Sequence, residues 1–338
     1  MKLIIQIPCY NEAKTLAIAL AALPRTIEGI DKVEWLVIDD GSTDNTAQIA
    51  RENGVDHVIR HPHNLGLAKA FMTGLNSCLA LGADIIVNTD ADNQYNADDI
   101  PALVAPILRG ESDMVIGARP IQTIEHFSPL KKALQRLGSW VVRRFSGVNV
   151  PDAPSGFRAF SRRTAARLNV FNSYTYTLET IIQAGSSGLA VGTSPVRVNE
   201  DLRPSRLFKS IPSYIWRSII TLIRIYILYK PARFFISIGV VSFLMGMMLY
   251  ARWMLLYLFD DPTRVRAPSL IVASVFAIVG VQLGLFGIIA DLLSANRKLL
   301  EELRARDRER KTHGDHPTVT SSAGYEGDEP SVREEKGK

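Results

Sequence analysis

Asp90-Ala91-Asp92 sets two carboxylates one residue apart directly after an apolar run. On a bend both can reach one hard divalent cation, and oxygen donors of this kind suit Mg²⁺ or Mn²⁺. Such an ion would bind a diphosphate and neutralise the charge that gathers on it as it departs. Gln94 stands two positions further on and can complete the oxygen set. A polar loop with helix-capping aspartates uses the same residue types, so taken alone the pair leaves both readings open.

Asp39-Asp40-Gly41-Ser42 follows another apolar run. One of the two carboxylates there can accept hydrogen bonds from a nucleobase or ribose, as acids at strand ends do in nucleotide-binding folds. Gly41, Ser42 and Asp44 are equally the residues of a turn and a helix cap. Pro8-Cys9-Tyr10-Asn11-Glu12 closes the first apolar run: Pro8 should end the ladder, Tyr10 offers a ring to stack on a base, and Glu12 offers acceptors. His57, His61, His63 and His126 show no ligand spacing with cysteine and read as loop residues.

These segments need elements to hold them. Residues 2–7, 34–38, 56–60, 84–88 and 113–116 read as strands, with helical patterns over 11–22, from Thr43 or Asp44 to Gly54, over 66–81, and again after the Asp90 segment. Alternating strands and helices predict a mostly parallel α/β sheet. In such sheets the ligand crevice lies beyond the carboxyl ends of the strands, where Pro8 to Glu12, Asp39-Asp40, Asp90 to Asp92 and Gly117 to Arg119 would all collect.

Beyond about residue 205 the composition changes. Residues 207–229 are apolar, with Lys209, Arg217 and Arg224 about two helical turns apart, a stripe suited to a helix lying on a membrane surface. Residues 234–251 and 267–290 then give runs of about 18 and about 24 uncharged residues, against the roughly 20 that span a bilayer. Arg252 interrupts the first run near its far end, where it could snorkel. Basic residues flank both outer ends (Arg224, Lys230, Arg233; Arg297, Lys298), which predicts a hairpin anchor with both outer ends cytoplasmic. Two buried core helices are the soluble alternative. The formal charge of +5 concentrates beside these runs, pointing to an anionic membrane surface and not to nucleic acid. Cys9 and Cys78 suggest no disulfide framework, and the N-terminus has no signal-peptide pattern. The expected organisation is a catalytic domain over 1–203, juxtamembrane amphipathic helices over 204–230, two membrane helices over 231–293, and a charged, largely disordered tail over 294–338, its start a short helical extension.

Four segments, Pro8-Cys9-Tyr10-Asn11-Glu12, Asp39-Asp40-Gly41-Ser42, Asp90-Ala91-Asp92-Asn93-Gln94 and Ser155-Gly156-Phe157-Arg158, stand in the order and spacing of family 2 glycosyltransferases. Over about residues 1–210 the chain resembles the dolichol-phosphate mannose synthase and polyprenyl-phosphate glycosyltransferase branch. The resemblance implies a GT-A fold and an inverting transfer from a nucleotide-sugar donor, GDP-mannose or a UDP-hexose, to a polyprenyl phosphate at the cytoplasmic membrane face. It implies that Pro8, Tyr10, Glu12 and Asp39, with Asp40 and the Asp90-Ala91-Asp92 segment, hold the donor, and that Asp90, Asp92 and Gln94 bind the metal. Arg119, Ser155 and Arg158 would line the place where donor and lipid phosphates meet, and Arg203, Ser205 and Arg206 would form a juxtamembrane phosphate grip. Asp92, Arg119, Arg158 and Glu179 are then the candidate catalytic residues.

Tyr95-Asn96-Ala97-Asp98-Asp99 stands where the family often has Pro-Pro-Glu, and Asp152-Ala153-Pro154 where the mannose synthases have Asp-Val-Thr; both leave the sugar open. Without Gln-x-x-Arg-Trp, the chain does not resemble a processive polysaccharide synthase. A polyprenyl phosphate is already anionic and needs no general base, whereas a hydroxyl acceptor does. Glu179 lies near the place where hydroxyl-using relatives keep that base, and it is equally placed for a structural acid. Transfer to a non-phosphorylated glycolipid or saccharide would make Glu179 or Asp201 indispensable. A non-catalytic membrane scaffold is the remaining alternative, and homo-oligomerisation is left open.

Overall fold

A computed structural model describes residues 1–120, 139–140, 142–144, 147–170, 176–199, 220, 223–224, 226–227, 229–259 and 267–314. Arg203, Ser205, Arg206, Asp201, His126, most of the amphipathic stretch and the tail after 314 lie outside the described residues.

The first strand, β1 (Lys2–Cys9), is buried from Leu3 onward. Leu3, Ile5 and Ile7 join one core layer and Ile4 the other, as the two-residue period of a strand requires. The same alternation runs through β2 (Lys32–Asp39), where Trp35 and Val37 face the first layer and Leu36 and Ile38 the second. A sheet covered on both faces explains why these strands read as continuous apolar runs. With β3 (His57–Arg60), β4 (Ile85–Asn88), β5 (Met114–Ala118), β6 (Arg158–Ser161) and β7 (Val191–Pro195), the described residues form a seven-stranded sheet in the order β3-β2-β1-β4-β6-β5-β7.

The strand β1 runs one residue past Pro8, pairing Cys9 with Asp39, where an earlier end was expected. Gln6 faces β4, its carbonyl accepting from Thr89, and Pro8 points the same way after β4 has ended at Asn88. The missing N–H therefore breaks no ladder bond.

Among the described strands of this sheet the pairings are parallel except those of β6, which runs antiparallel between β4 and β5. Its first residue, Arg158, sits opposite Asn88 and Ile116, near the carboxyl ends of their strands. That inversion carries Ser155-Gly156-Phe157 to the rim where Asp39, Asp90 and Arg119 emerge.

Helices α1 (Leu16–Ala22), α2 (Thr46–Glu52), α3 (Leu67–Ala80), α4 (Ile100–Leu108), α5 (Arg162–Arg167) and α6 (Thr177–Ser186) accompany the sheet. The helix expected over 11–22 starts only at Leu16: Asn11 takes a left-handed φ of 55°, and its side-chain oxygen accepts from Thr43 N at 2.8 Å.

Two long helices follow, α7 (Pro231–Phe259) and α8 (Ala267–Gly314). Segments Pro231–Phe259 and Ala267–Arg297 are long and apolar enough to cross a membrane, with mean hydropathies of 2.1 and 2.3. Only 11% and 17% of an 18-residue apolar stretch within each is buried, unlike the core helices of a soluble protein. Arg252 leaves α7 unbroken. The helices pack on small residues: a Cβ on Gly239 would lie 2.8 Å from Gly280 O, and one on Gly246 2.8 Å from Ala273 O. Ser242 Oγ donates to Phe276 O at 2.9 Å, and the Tyr250 and Ser274 hydroxyls are 3.0 Å apart.

Candidate active site

At the end of β2, Asp39 and Asp40 diverge. Asp40 is 3% exposed and works for the fold: Oδ1 accepts from Leu65 N (2.9 Å) and faces His61 Nδ1 (2.7 Å), while Oδ2 accepts from Gly66 N (2.8 Å). His61 Nε2 lies 3.0 Å from Thr73 Oγ1, so His61, in the loop its sequence surroundings suggest, is a buried strut and not a solvated residue. This clamp holds residues 61–66 against the turn at Gly41, whose φ is 71° and whose Cβ, if present, would lie 2.4 Å from the His63 carbonyl carbon. Only glycine fits there. The expectation that Asp40 touches the donor does not match these surroundings, since both of its oxygens are engaged inside the protein.

Asp39 is fully buried; Oδ1 accepts from Ser42 N at 2.8 Å. Its Oδ2 lies 3.2 Å from Arg60 Nε yet receives no hydrogen bond. A buried carboxylate oxygen left in that state is suited to a ligand N–H or O–H. Tyr10 is 42% exposed beside it in sequence register, and Glu12 is buried, with Oε2 accepting from Thr15 Oγ1 at 3.0 Å.

Beyond β4, Asn88 organises the second half of the site. It accepts from Gln6 Nε2 (2.8 Å), and its amide donates to Gly156 O and to the Tyr176 hydroxyl oxygen (both 2.9 Å). Gly156 N donates to the Tyr95 hydroxyl oxygen at 3.1 Å. A Cβ on Gly156 would lie 3.2 Å from both carboxylate oxygens of Asp90 and 2.9 Å from the Tyr176 hydroxyl. Asp90 thus rests against the bare face of Gly156, and its charge acts on Tyr95, Arg119 and Tyr176. Burial drives the Tyr176 hydroxyl pKa well up, with the Asp90 charge adding to it. Asp92 and Gln94 follow on the same loop, with Asp92 Oδ1 accepting from Gln94 N at 3.2 Å. That loop is strapped down by Asn199, which donates to Asn93 O (2.9 Å) and Tyr95 O (3.3 Å).

Arg119, at the end of β5, forms a two-pronged pair with the fully buried Asp152: Nε to Oδ2 is 2.7 Å and Nη2 to Oδ1 3.1 Å. Burial opposes its charge, but Tyr95, Asp152 and Asp90 outweigh it and raise the pKa. Its guanidinium carbon is 5.7 Å from the Tyr95 ring centroid. Ser155 Oγ is buried beside the Tyr95 hydroxyl.

Arg158 departs from expectation. It is fully buried and donates to Ser155 O (2.7 Å), Ala153 O (2.7 Å), Thr177 O (2.8 Å) and Thr180 Oγ1 (2.6 Å). Its surroundings are those of a framework residue behind the site, not of a phosphate ligand; burial lowers its pKa to about 10, which still leaves it charged at neutral pH. Glu179, on α6, is 3% exposed, and its charge raises the already elevated pKa of the largely buried Tyr229 hydroxyl.

Sequence reasoning did not assign roles to Asn88, Tyr95, Tyr176 or Asn199. Asn88 carried a usable signal, a polar residue closing the apolar run Ile85-Ile86-Val87. The other three act through contacts distant in sequence, which no local pattern encodes.

Residues 4–168 match the family model described as Glycosyl transferase family 2. The UDP-N-acetylglucosamine–dolichyl-phosphate N-acetylglucosaminyltransferase of Methanococcus voltae is 32% identical over 56% of this chain and 83% of its own length. The polyprenol monophosphomannose synthase of Mycolicibacterium smegmatis is 26% identical over 57% of this chain and 76% of its own. Among solved structures, glucosyl-3-phosphoglycerate synthase from Mycobacterium tuberculosis, in complex with Mn²⁺ and UDP-glucose, superposes with a TM-score of 0.51 at 21% identity, covering 65% of this chain and 78% of that one. The shared fold is the GT-A-like mixed α/β sheet.

Proposed function

The chain belongs to glycosyl transferase family 2, and from that premise we propose that it moves a sugar from a nucleotide-sugar donor, GDP-mannose or a UDP-hexose, onto a polyprenyl phosphate at the cytoplasmic face of a membrane. The observation that carries the reading is the neighbourhood of Asp90 and Arg119: a carboxylate suited to a cation and a guanidinium suited to phosphate act on one another beside Tyr95, Gly156 and Tyr176. The named activities of the Methanococcus and Mycolicibacterium relatives support the lipid-phosphate acceptor.

In this reading Asp39 Oδ2 accepts a hydrogen bond from the nucleoside, with Pro8, Tyr10 and Glu12 lining the same end. Asp90, Asp92 and Gln94 hold Mg²⁺ or Mn²⁺. Among the described residues no three His, Cys, Asp or Glu side chains converge, so the diphosphate itself would complete the shell. When bound, the ion supplies neutralisation of the leaving diphosphate. Arg119, held rigid by Asp152, presents its remaining donors to the acceptor phosphate, with Ser155 beside it; Arg203, Ser205 and Arg206 are proposed to assist. A phosphate oxygen attacks the anomeric carbon, the bond to the nucleoside diphosphate breaks, and the configuration inverts. No proton has to leave the acceptor, so no general base is required and Glu179 is free for a structural role. Basic residues at both outer ends of the hairpin support a cytoplasmic catalytic domain.

Purified full-length chain, Mn²⁺ or Mg²⁺, a panel of nucleotide sugars and undecaprenyl or dolichyl phosphate test this, with the lipid product weighed by mass spectrometry. The expected product is the lipid phosphate plus one sugar, lost on chelation. Sugar appearing only on non-phosphorylated acceptors would overturn the acceptor assignment. Unimpaired turnover by Asp92→Ala would overturn the metal assignment.

A further inference from the structure

Four basic residues gather where the hairpin leaves the catalytic domain. Val142 and Tyr229 belong to the same core layer, and Arg144, in the helical residues 142–144, lies near enough to Lys230 for its charge to act there. Arg144 is exposed and Lys230 half-buried. Two backbone bonds bracket this junction, Lys230 N donating to Tyr226 O (2.9 Å) and Phe234 N to Lys230 O (3.3 Å). Arg233 follows three residues on, in the first turn of α7, and is exposed. The returning helix adds Arg297, whose guanidinium carbon is 4.9 Å from the Tyr229 ring centroid. Burial and the nearby Arg233 and Arg144 charges lower the Lys230 pKa, as expected of like charges held close.

This collar sits at a defined depth. Immediately beyond it α7 exposes Ile236, Ile238, Val240 and Val241, so a ligand bound to the cations meets an apolar helix face on its far side. A free anion would use only the charges. An amphiphile with a phosphate headgroup and acyl chains would use both. We propose that Arg144, Lys230, Arg233 and Arg297 form a site for an anionic phospholipid, separate from the acceptor site, which ties the catalytic domain through Arg144 to the membrane surface. The proposal rests on the hairpin spanning a membrane but not on the identity of donor or acceptor.

Native mass spectrometry of the full chain, loaded from mixed vesicles of phosphatidylglycerol and phosphatidylcholine, reads the site without turnover. Retained phosphatidylglycerol should exceed phosphatidylcholine, and Arg144→Gln and Arg233→Gln should each weaken that retention about fivefold, the effect of one basic residue at an anionic surface. Arg144→Lys should restore most of it, and nucleotide affinity should stay unchanged in every variant. Equal retention of the two lipids would overturn the proposal, as would undiminished preference in the double variant. Displacement by inorganic phosphate would show a free-anion site, and displacement by undecaprenyl phosphate would show the acceptor site; either result also overturns it.

Discussion

Arg119 and Asp152 meet through two parallel hydrogen bonds of 2.7 and 3.1 Å, and Asp152 also lies 3.3 Å from the Arg119 backbone N–H. The carboxylate is wholly buried and the arginine side chain is 9% exposed. Asp152→Ala should therefore leave a buried charge unpaired, at a cost of about 3–5 kcal/mol. For a domain of this size that is a fall of roughly 6–20 °C in the thermal midpoint. Calorimetry on the detergent-solubilised chain checks it. A midpoint within experimental scatter of the wild type would mean that the pair does not hold Arg119 in place.

Gly156→Ala tests the packing of Asp90. The new methyl would stand 3.2 Å from both Asp90 oxygens and 2.9 Å from the Tyr176 hydroxyl, so the carboxylate or the ring must shift. Overpacking of this kind costs about 1–3 kcal/mol. The larger effect should fall on ligand binding: displacing Asp90, a proposed metal ligand, should weaken Mn²⁺-dependent binding of the nucleoside diphosphate by about tenfold or more. Titration calorimetry with and without Mn²⁺ separates the two effects. Unchanged metal-dependent affinity would argue that Asp90 does not bind the ion.

The contrast between these residues shows what the sequence exposes. Five strands are legible: four are apolar runs buried on both faces, β3 is a half-buried edge strand, and the aspartates at the strand ends stand out as charge following a core segment. The strand Arg158–Ser161 was hidden: it has four residues, begins with a buried arginine, and owes its antiparallel place to neighbours some 40 to 70 residues away. Asp39 and Asp40 were indistinguishable in type and position. Only the fold shows that Asp40 secures the 61–66 loop while Asp39 keeps a buried oxygen without a hydrogen bond. Arg158 poses a related difficulty. An arginine beside Ser-Gly-Phe resembles a phosphate ligand until its four internal acceptors are seen.

Glu34 predicts an acid limit to stability. Burial would raise its pKa, but hydrogen bonds from Lys2, Lys32 and His57 outweigh burial and bring it from 4.5 to about 2. Because the folded value is the lower one, the stabilisation is complete above pH 4.5 and is lost as the pH falls from 4.5 through about 2. After allowance for screening at the exposed Lys32, the contribution is on the order of 1–3 kcal/mol. Thermal midpoints of wild type and Glu34→Gln should differ at pH 6 and converge towards pH 2. A constant gap across that range would remove Glu34 as its source.

Arg158 offers the sharpest choice between framework and chemistry. Its guanidinium satisfies the carbonyls of Ala153, Ser155 and Thr177 and the Thr180 hydroxyl, all inside the protein. Arg158→Ala would strip donors from buried acceptors and open a cavity, each a cost of about 1–3 kcal/mol or more, so the sum approaches the whole stability of a typical domain. Arg158→Lys keeps the charge but has one nitrogen in place of a planar fork and cannot reach four divergent acceptors. Both variants should therefore lose folded yield, and whatever fraction folds should bind nucleotide and acceptor with near-normal affinity. A phosphate ligand predicts the reverse: a well-folded Arg158→Lys protein whose KM for the lipid phosphate has risen. Circular dichroism paired with steady-state kinetics on the soluble fraction decides between them, and the second pattern would return Arg158 to the site.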